Sequence, residues 1–476
     1  MLYFTLLPSI TILIGSFIFM MLATKIGKER SINLASYILV LALLFELFLF
    51  SELGSFNTTT LFNGTLFIDK LSGFFTITFI LLGLIASLSA RYYMLTNDIF
   101  KPEFFAMLLL AIFGMIMLSN SSELITSFVA LEIVSISIYT LVAIKKDINA
   151  SEAVIKYFLL GAFIGAFFVM GSSFIFGQVG STKFIDISSY LATHDISEMP
   201  LLASGLLLIF VALFFKITAF PFHAWSIDVY TGATLPVTNI MNSAVKLASF
   251  ALILRILSGA FDGITEIWQP ILFYVTIATM FIGNIMSIKQ DSVKKMLISS
   301  SIVHTGYLLV CLSSIQSFDL VSVSPIIFYL FAYSLAVGGT FLIISSLAKH
   351  EEKFLHFDDF KGLSRARPLM ALALTIFMLN FIGFPFTMGF LGKFHLFSSA
   401  TSNGIAILAL FGVINTILSV YYYLRLIIKM YFFEPERSFG FDVSKAFIFA
   451  IASIITTLIA GGFGLISIDD LVLLLT

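Results

Sequence analysis

Charge is what this sequence has least of. Charged residues make up 11% of it, against about a quarter in an ordinary soluble domain. A hydrophobic share of 59% and a mean hydropathy of +1.06 say the same, so the chain is an integral membrane protein with no room for a soluble domain between its apolar runs. Cysteine is nearly missing: Cys311 stands alone in an apolar segment, which excludes a disulfide framework, a CxxC pair and a thiolate metal or iron-sulfur site. There is no nucleotide loop and no flavin motif. The adjacent acidic pairs Glu351/Glu352, Asp358/Asp359 and Asp469/Asp470 lack the second acidic cluster that a metal-dependent enzyme acting on lipid or isoprenoid substrates would need. No metal or cofactor is expected on this chain, and no nucleic-acid partner. The N-terminal "MLYFTLLPSITILIGSFIFMML" has neither a basic start nor a small-residue cleavage site, and it reads as a first helix rather than a signal peptide.

What is there is a succession of apolar runs. A membrane-spanning helix needs roughly 20 apolar residues, and runs near 3–24, 32–51, 70–90, 104–120, 122–144, 153–177, 201–230, 234–256, 270–288, 296–314, 324–347, 368–398, 405–429 and 445–467 predict about fourteen crossings. They are continuous rather than alternating, so the expected fold is an all-α polytopic bundle and not a barrel. Basic residues alternate in step with this count. Lys25, Lys28, Arg30, Arg91, Lys101, Lys145, Lys146, Lys289, Lys294, Lys295, Lys349, Lys353, Lys361, Arg365, Arg367, Arg425, Lys429, Arg437 and Lys445 fall on one side, and only Lys70, Lys183 and Arg255 on the other. The positive-inside rule then puts both termini on the non-cytoplasmic side of a bilayer.

Two runs are longer than a straight crossing needs, and each carries a proline in nearly the same context: "AFPF" around Pro221 and "GFPF" around Pro385. Proline removes a backbone hydrogen bond and kinks a helix. Either these are tolerated kinks, or they mark broken helices at corresponding points of two inverted repeats, where polar sites are built.

A few charges sit where none should. Glu132, Lys216, Lys246 and Lys393 lie deep in the fifth, seventh, eighth and twelfth crossings, and His304 lies midway along the tenth. A charge at the bilayer centre costs on the order of 3 kcal/mol or more, so such groups face protein, a partner charge or water. A static Glu–Lys pair and a hydrogen-bonded core histidine are the structural alternatives. A line of ionisable groups suits proton transfer, each within hydrogen-bond reach of the next or joined through water. Ser299, Ser300, Tyr307, Tyr421 and Tyr423 are candidates to hold bridging waters; His223 and Asp228 are possible accessory groups, with His223 equally able to cap the broken helix. Glu46, Lys156 and Arg425 lie nearer helix ends and read as interface residues.

At these residues the chain resembles the antiporter-like membrane subunits of respiratory complex I. The matching pieces are "ALEIVSISIYTLVA", "SEAVIKYFLLGA", "FKITAFPFHAWSIDVYTGATLPVT", "SVKKMLISSSIVHTGYLL", "FIGFPFTMGFLGKF" and "YYYLRLIIKMYF", in order over most of the chain. The resemblance implies a single membrane domain, 1–476, of fourteen helices. It would hold a first five-helix repeat over 104–256 (crossings 4–8), an inverted second over 270–429 (crossings 9–13), and breaks in crossings 7 and 12. It implies Glu132 as the acid paired with Lys216, Lys246 as the central relay, His304 as a link and Lys393 as the terminal proton site. Lysine rather than glutamate at 393, and no long C-terminal extension, favour the subunit N branch of NADH-quinone oxidoreductase. The stretch "HAWSIDVYTGATLPVT" departs from the family, which more often has leucine, a threonine-proline pair and Gln-Gly-Ala there. The function implied is proton translocation in a bacterial inner membrane, driven by quinone reduction. NADH, flavin, iron-sulfur clusters and quinone would be carried by partner subunits, and neighbouring antiporter-like subunits would be the direct partners. A sodium/proton antiporter complex or membrane-bound hydrogenase uses the same module and is the alternative.

Overall fold

Backbone groups in lipid must be paired within the segment, and the apolar runs accordingly fold into helices in the computed structural model of the chain. It describes residues 2–22, 25, 27–52, 59–97, 99–194, 199–348, 355–436 and 444–475. Lys349, Glu351, Glu352, Lys353 and Arg437, which entered the readings above, lie outside the described residues. In chain order the helices are α1 (Leu7–Leu22), α2 (Lys28–Glu52), α3 (Lys70–Thr96), α4 (Glu103–Asn120), α5 (Leu124–Val142), α6 (Ile148–Val179), α7 (Phe184–Leu191), α8 (Pro200–Lys216), α9 (Trp225–Gly232) and α10 (Leu235–Ile240). They continue with α11 (Lys246–Ala260), α12 (Thr265–Ile288), α13 (Val293–Leu312), α14 (Leu320–Leu347), α15 (Leu363–Ala366), α16 (Pro368–Ile382), α17 (Met388–Ser402), α18 (Ala406–Phe432), α19 (Lys445–Gly462) and α20 (Ile468–Leu475). Among the described residues, 12 helical stretches are long and apolar enough to cross a membrane, and α8 and α16 are shorter apolar helices.

Helix ends follow local chemistry. Asp69, Asp147, Asp319, Thr387 and Ser444 each accept a backbone N–H in the first turn of the helix they precede, which pairs donors a helix start leaves open. Pro200 and Pro368 occupy the first positions of α8 and α16, where a missing N–H costs nothing. Three elements absent from the sequence reading are small: the antiparallel hairpin β1 (Thr59–Leu61) and β2 (Leu66–Ile68), and the amphipathic helices α7 and α20.

Depth sorts the helices. Taking the apolar 18-residue core of each, that of Leu235–Ala260 is wholly buried, those of Val293–Leu312 and Leu320–Leu347 are 94% buried, and that of Glu29–Ser51 is only 22% buried. The middle of the protein is thus α10, α11, α13 and α14, and α2 lies at the rim. These central stretches carry Lys246, His304, Tyr307, Tyr329 and Tyr333.

Both proline contexts are breaks wider than a kink. Helix stops at Lys216 and resumes at Trp225, and it stops at Ile382 and resumes at Met388. Proline cannot donate, and it forces the preceding residue out of the α region. Thr218, at φ 59°, and Phe386, at φ 70°, hold left-handed backbone, which costs a non-glycine residue about 1–3 kcal/mol. Polar side chains offset this. Thr279 Oγ1 accepts the Phe220 N–H at 3.0 Å, Thr305 Oγ1 donates to the Ile217 carbonyl at 2.9 Å, and Asn380 Oδ1 accepts the Gly389 N–H at 2.8 Å. The first break is therefore tied to α12 and α13, in the other half of the chain.

One ion pair fastens α11 to the start of α3. Arg255, on α11, donates to both carboxylate oxygens of Asp69 at 2.8 and 2.5 Å and to the Ser119 carbonyl at 2.8 Å. Burial pushes the Asp69 carboxyl up, but the Arg255 charge and its hydrogen bonds outweigh that and hold it below the usual carboxylate range. Arg255, counted above only among the three basic residues of the other side, is a structural clamp on α11.

Candidate functional site, a buried line of basic groups

Lys216 is the last residue of α8, at the edge of the first break. Its Nζ donates to Ser135 Oγ on α5 at 2.8 Å, not to Glu132. Glu132 lies one turn earlier on α5, within Coulombic reach of Lys216, yet no ion pair joins the two and its buried Oε1 has no hydrogen-bond partner among the described residues. The expected Glu132–Lys216 contact is thus replaced by a serine. The reason is geometric: positions three apart share a helix face, so Ser135 and Glu132 compete for the same ammonium.

Beside this lysine is an enclosed cavity of about 20 Å³ lined in part by Ser135, Tyr157, Lys216 and Ser249, enough for one water molecule. Ser249 is three residues after Lys246 on α11, so the cavity points along the helix that carries the second lysine. Lys246 is 1% exposed and donates to the Ser301 carbonyl at 2.8 Å. It follows directly on Met241–Val245, a turn of π-helix, a widening that often marks functional positions. Thr305, which holds the Ile217 carbonyl, also bonds the Ser301 carbonyl at 3.2 Å. The backbone beside Lys216 and the ammonium of Lys246 thus meet on one turn of α13.

His304, on that same helix, is held at both ring nitrogens: Nδ1 by the Tyr329 hydroxyl at 2.6 Å and Nε2 by the Tyr423 hydroxyl at 2.9 Å. Its ring centroid is 4.7 Å from that of Tyr333, whose face is 5.9 Å from Lys246 Nζ. A neutral imidazole donates from one nitrogen and accepts at the other, so this histidine can pass a proton through without rotating.

Lys393 closes the line. It sits on α17, after the second break, and its Nζ donates to the carbonyls of Phe381 and Ile382 at 2.7 and 3.1 Å. These are the last carbonyls of α16, the negative end of a half-helix dipole. The Tyr307 ring centroid is 4.6 Å from Nζ and 5.6 Å from that of His304, so one tyrosine lies against both.

The structure thus places Lys216, Lys246, His304 and Lys393 in one line, with the Tyr333 ring beside both Lys246 and His304 and the Tyr307 ring beside both His304 and Lys393. Tyr423 belongs to the site, but Tyr421 is 59% exposed and faces outward; two residues apart on a helix, they point to opposite sides. Ser299 and Ser300 spend their hydroxyls on carbonyls of their own helix. Asp228 is bound to Lys156 at 2.9 Å near the surface, away from the line. His223 is half-buried; its Nδ1 has no partner among the described residues, so its side chain does not cap the break through that atom. Ser135 and Thr305 were missed because a serine or threonine in an apolar helix usually bonds its own backbone; for Ser135 the usable signal was its spacing of three from Glu132.

Such a fold and site define a polytopic helical membrane protein with a buried line of ionisable side chains, and comparison with known proteins assigns it. Residues 121–419, which contain Glu132, all three lysines and His304, match the family described as NADH:quinone oxidoreductase/Mrp antiporter, TM. NADH-quinone oxidoreductase subunit N of Campylobacter fetus is 40% identical over 97% of both chains, and the chain belongs to that subunit N family. A chain of respiratory complex I from Thermus thermophilus superposes with a TM-score of 0.82 at 27% identity, covering 97% of this chain and 98% of that one. A chain of the Mrp complex from Dietzia gives 0.87 at 18% identity, covering 100% and 96%, which is a likeness of fold.

Proposed function

We propose that this chain, as an antiporter-like subunit of the complex I membrane arm, carries protons across the membrane along Lys216, Lys246, His304 and Lys393, with Glu132 as the switch. The observation that carries the reading is the placing of these groups in one line inside protein, with a water-sized cavity between Lys216 and the helix of Lys246 and a tyrosine ring beside each of the later pairs, where the cost of burying charge otherwise argues against them. The two broken helices support a pair of inverted repeats over 104–256 and 270–429, and the distribution of basic residues supports an orientation with both termini on the non-cytoplasmic side. Lys216 on Ser135 corresponds to the separated state of the switch: the ammonium is without its counter-charge, and its proton is driven toward Lys246. Reunion with Glu132 reloads it from the cytoplasm.

The magnitudes agree. Moving a charge across the membrane costs about 2.3 kcal/mol per 100 mV, and depriving a buried charge of its partner costs about 3–5 kcal/mol, so one pair is of the right size to gate one proton. Quinone reduction on partner subunits, which would also hold the NADH, flavin and iron-sulfur chemistry, supplies the energy. In membrane vesicles, Lys216→Ala and Glu132→Ala should each abolish this chain's share of NADH-driven pumping while the complex still assembles and oxidises NADH. Wild-type pumping in either variant sinks the reading, and a requirement for sodium would favour the antiporter alternative.

A further inference from the structure

We propose that protons leaving Lys393 reach the non-cytoplasmic side through a hollow between α14, α17 and α20, with His395 and Asp469 as the proton carriers inside it. This rests on the reading of Lys393 as the terminal site.

The hollow measures about 750 Å³ and its lining includes Ser322, Phe328, His395, Ser399, Ser402 and Asp469. At about 30 Å³ each it has room for on the order of 20 water molecules. Val321, Ser402 and Asp469 at its rim are exposed, so it communicates with the surface at the end of the bundle where α17 finishes. One face of α17 is given over to it: His395, Ser398 and Ser402 recur at spacings of three and four, as residues on a single helix face must. Lys393 and Gly392 lie on the enclosed side of the same helix.

Contacts lead from that side to the hollow. Gly392 brings α17 so close to α14 that a Cβ there would lie 2.6 Å from the Tyr329 ring, and Tyr329 is the residue that holds His304. Its neighbour Phe328 lines the hollow. On α13, Tyr307 lies against Lys393 and its hydroxyl makes no hydrogen bond among the described residues. One turn further, Cys311 Sγ is 3.5 Å from Ser399 Oγ, which opens into the hollow. Tyr307 and Cys311, four residues apart on α13, thus lie between the terminal lysine and the cavity wall, and a proton must cross the span between the Tyr307 hydroxyl and the Cys311 thiol, which no hydrogen bond joins among the described residues.

Two titratable groups line the hollow, His395 in its wall and Asp469 at its rim. His395 is half-buried on α17, and Asp469, on α20, is within its Coulombic reach. The adjacent Asp470 is engaged elsewhere, accepting from the backbone and hydroxyl of Ser467 at 2.9 and 2.7 Å and so capping α20. That cap fixes the helix with Asp469 toward the cavity. In each transfer Lys393 gives up one proton, His395 or water in the hollow takes it, Asp469 receives it in turn, and it passes to bulk solvent; only N–H and O–H bonds form or break.

The test uses the whole complex in membranes. A membrane-impermeant methanethiosulfonate is applied to the Ser402→Cys variant from the non-cytoplasmic side, or after vesicle inversion from the cytoplasmic side, with wild-type membranes treated in parallel; NADH-driven pumping and uncoupled NADH oxidation are then measured. Labelling from the non-cytoplasmic side alone should lower pumping to the level of Lys393→Ala with oxidation retained, and His395→Ala and Asp469→Asn should do the same without label. If labelled Ser402→Cys and both variants pump like wild type while Lys393→Ala is impaired, the hollow is not the route and the proposal falls, with the role of Lys393 intact. If Lys393→Ala itself pumps like wild type, the role of Lys393 and the proposal fall together.

Discussion

Ser135→Ala is the most informative small change the structure suggests. The Ser135 hydroxyl accepts a 2.8 Å hydrogen bond from Lys216 and donates one to the Leu131 carbonyl at 2.6 Å, so it is oriented as an acceptor toward the ammonium. A hydrogen bond to a charged group is worth about 1.5–3 kcal/mol. Its removal favours the alternative partner, Glu132, by that amount, which is roughly a 10- to 150-fold shift in the switch equilibrium. Pumping in vesicles should slow several-fold, uncoupled NADH oxidation should stay near wild type, and Ser135→Thr, which restores a hydroxyl, should recover much of the loss. Ser137→Ala is the control, since that hydroxyl only bonds the Ile133 carbonyl of its own helix. If Ser135→Ala pumps at the wild-type rate, the serine is not a competing partner and the switch must work by another contact.

Two further predictions concern assembly. A Cβ on Gly389 would lie 2.1 Å from the Asn380 carbonyl oxygen, and overpacking of this kind costs about 1–3 kcal/mol or more; Gly389→Ala should lower the yield and thermal midpoint of the solubilised complex. Gly177→Ala, where the nearest atom would be 3.7 Å away, should be tolerated. The Asp69–Arg255 clamp makes stability depend on acid. Because the folded carboxyl is held below its unfolded value, its contribution is complete above about pH 4 and is lost as pH falls through the folded value. Asp69→Asn should cost about 3–5 kcal/mol at neutral pH by leaving Arg255 buried and unpaired, and the variant's thermal midpoint should fall less steeply with acid than that of the wild type.

The lysines and His304 were legible because each is an expensive residue in an apolar run, though cost alone does not single them out: Glu46, read from the sequence as an interface residue, is 6% exposed in α2 and takes no part in the line. The two breaks were legible for a similar reason, since Pro221 and Pro385 sit in matched contexts. What the sequence could not convey is partner choice. Glu132 and Ser135 share one face of α5, and only packing decides which meets Lys216. Nor does "MNSAV" carry any signal for a π-turn, because the widening is set by how α10 and α11 fit among their neighbours. Tyr421 and Tyr423 are identical in sequence terms, and only the rotation of α18 sends one to His304 and the other outward. The short α20 lay beyond the last long apolar run, and its relation to α17 is entirely tertiary.

Lys246 is the middle of the line, enclosed by protein and equidistant in role from the switch and the terminal site. Measuring protons pumped per NADH oxidised with Lys246→Ala therefore tests the central claim most directly. A continuous relay predicts that this chain's contribution disappears while NADH oxidation continues in the uncoupled complex; an unchanged proton-to-NADH ratio would contradict it.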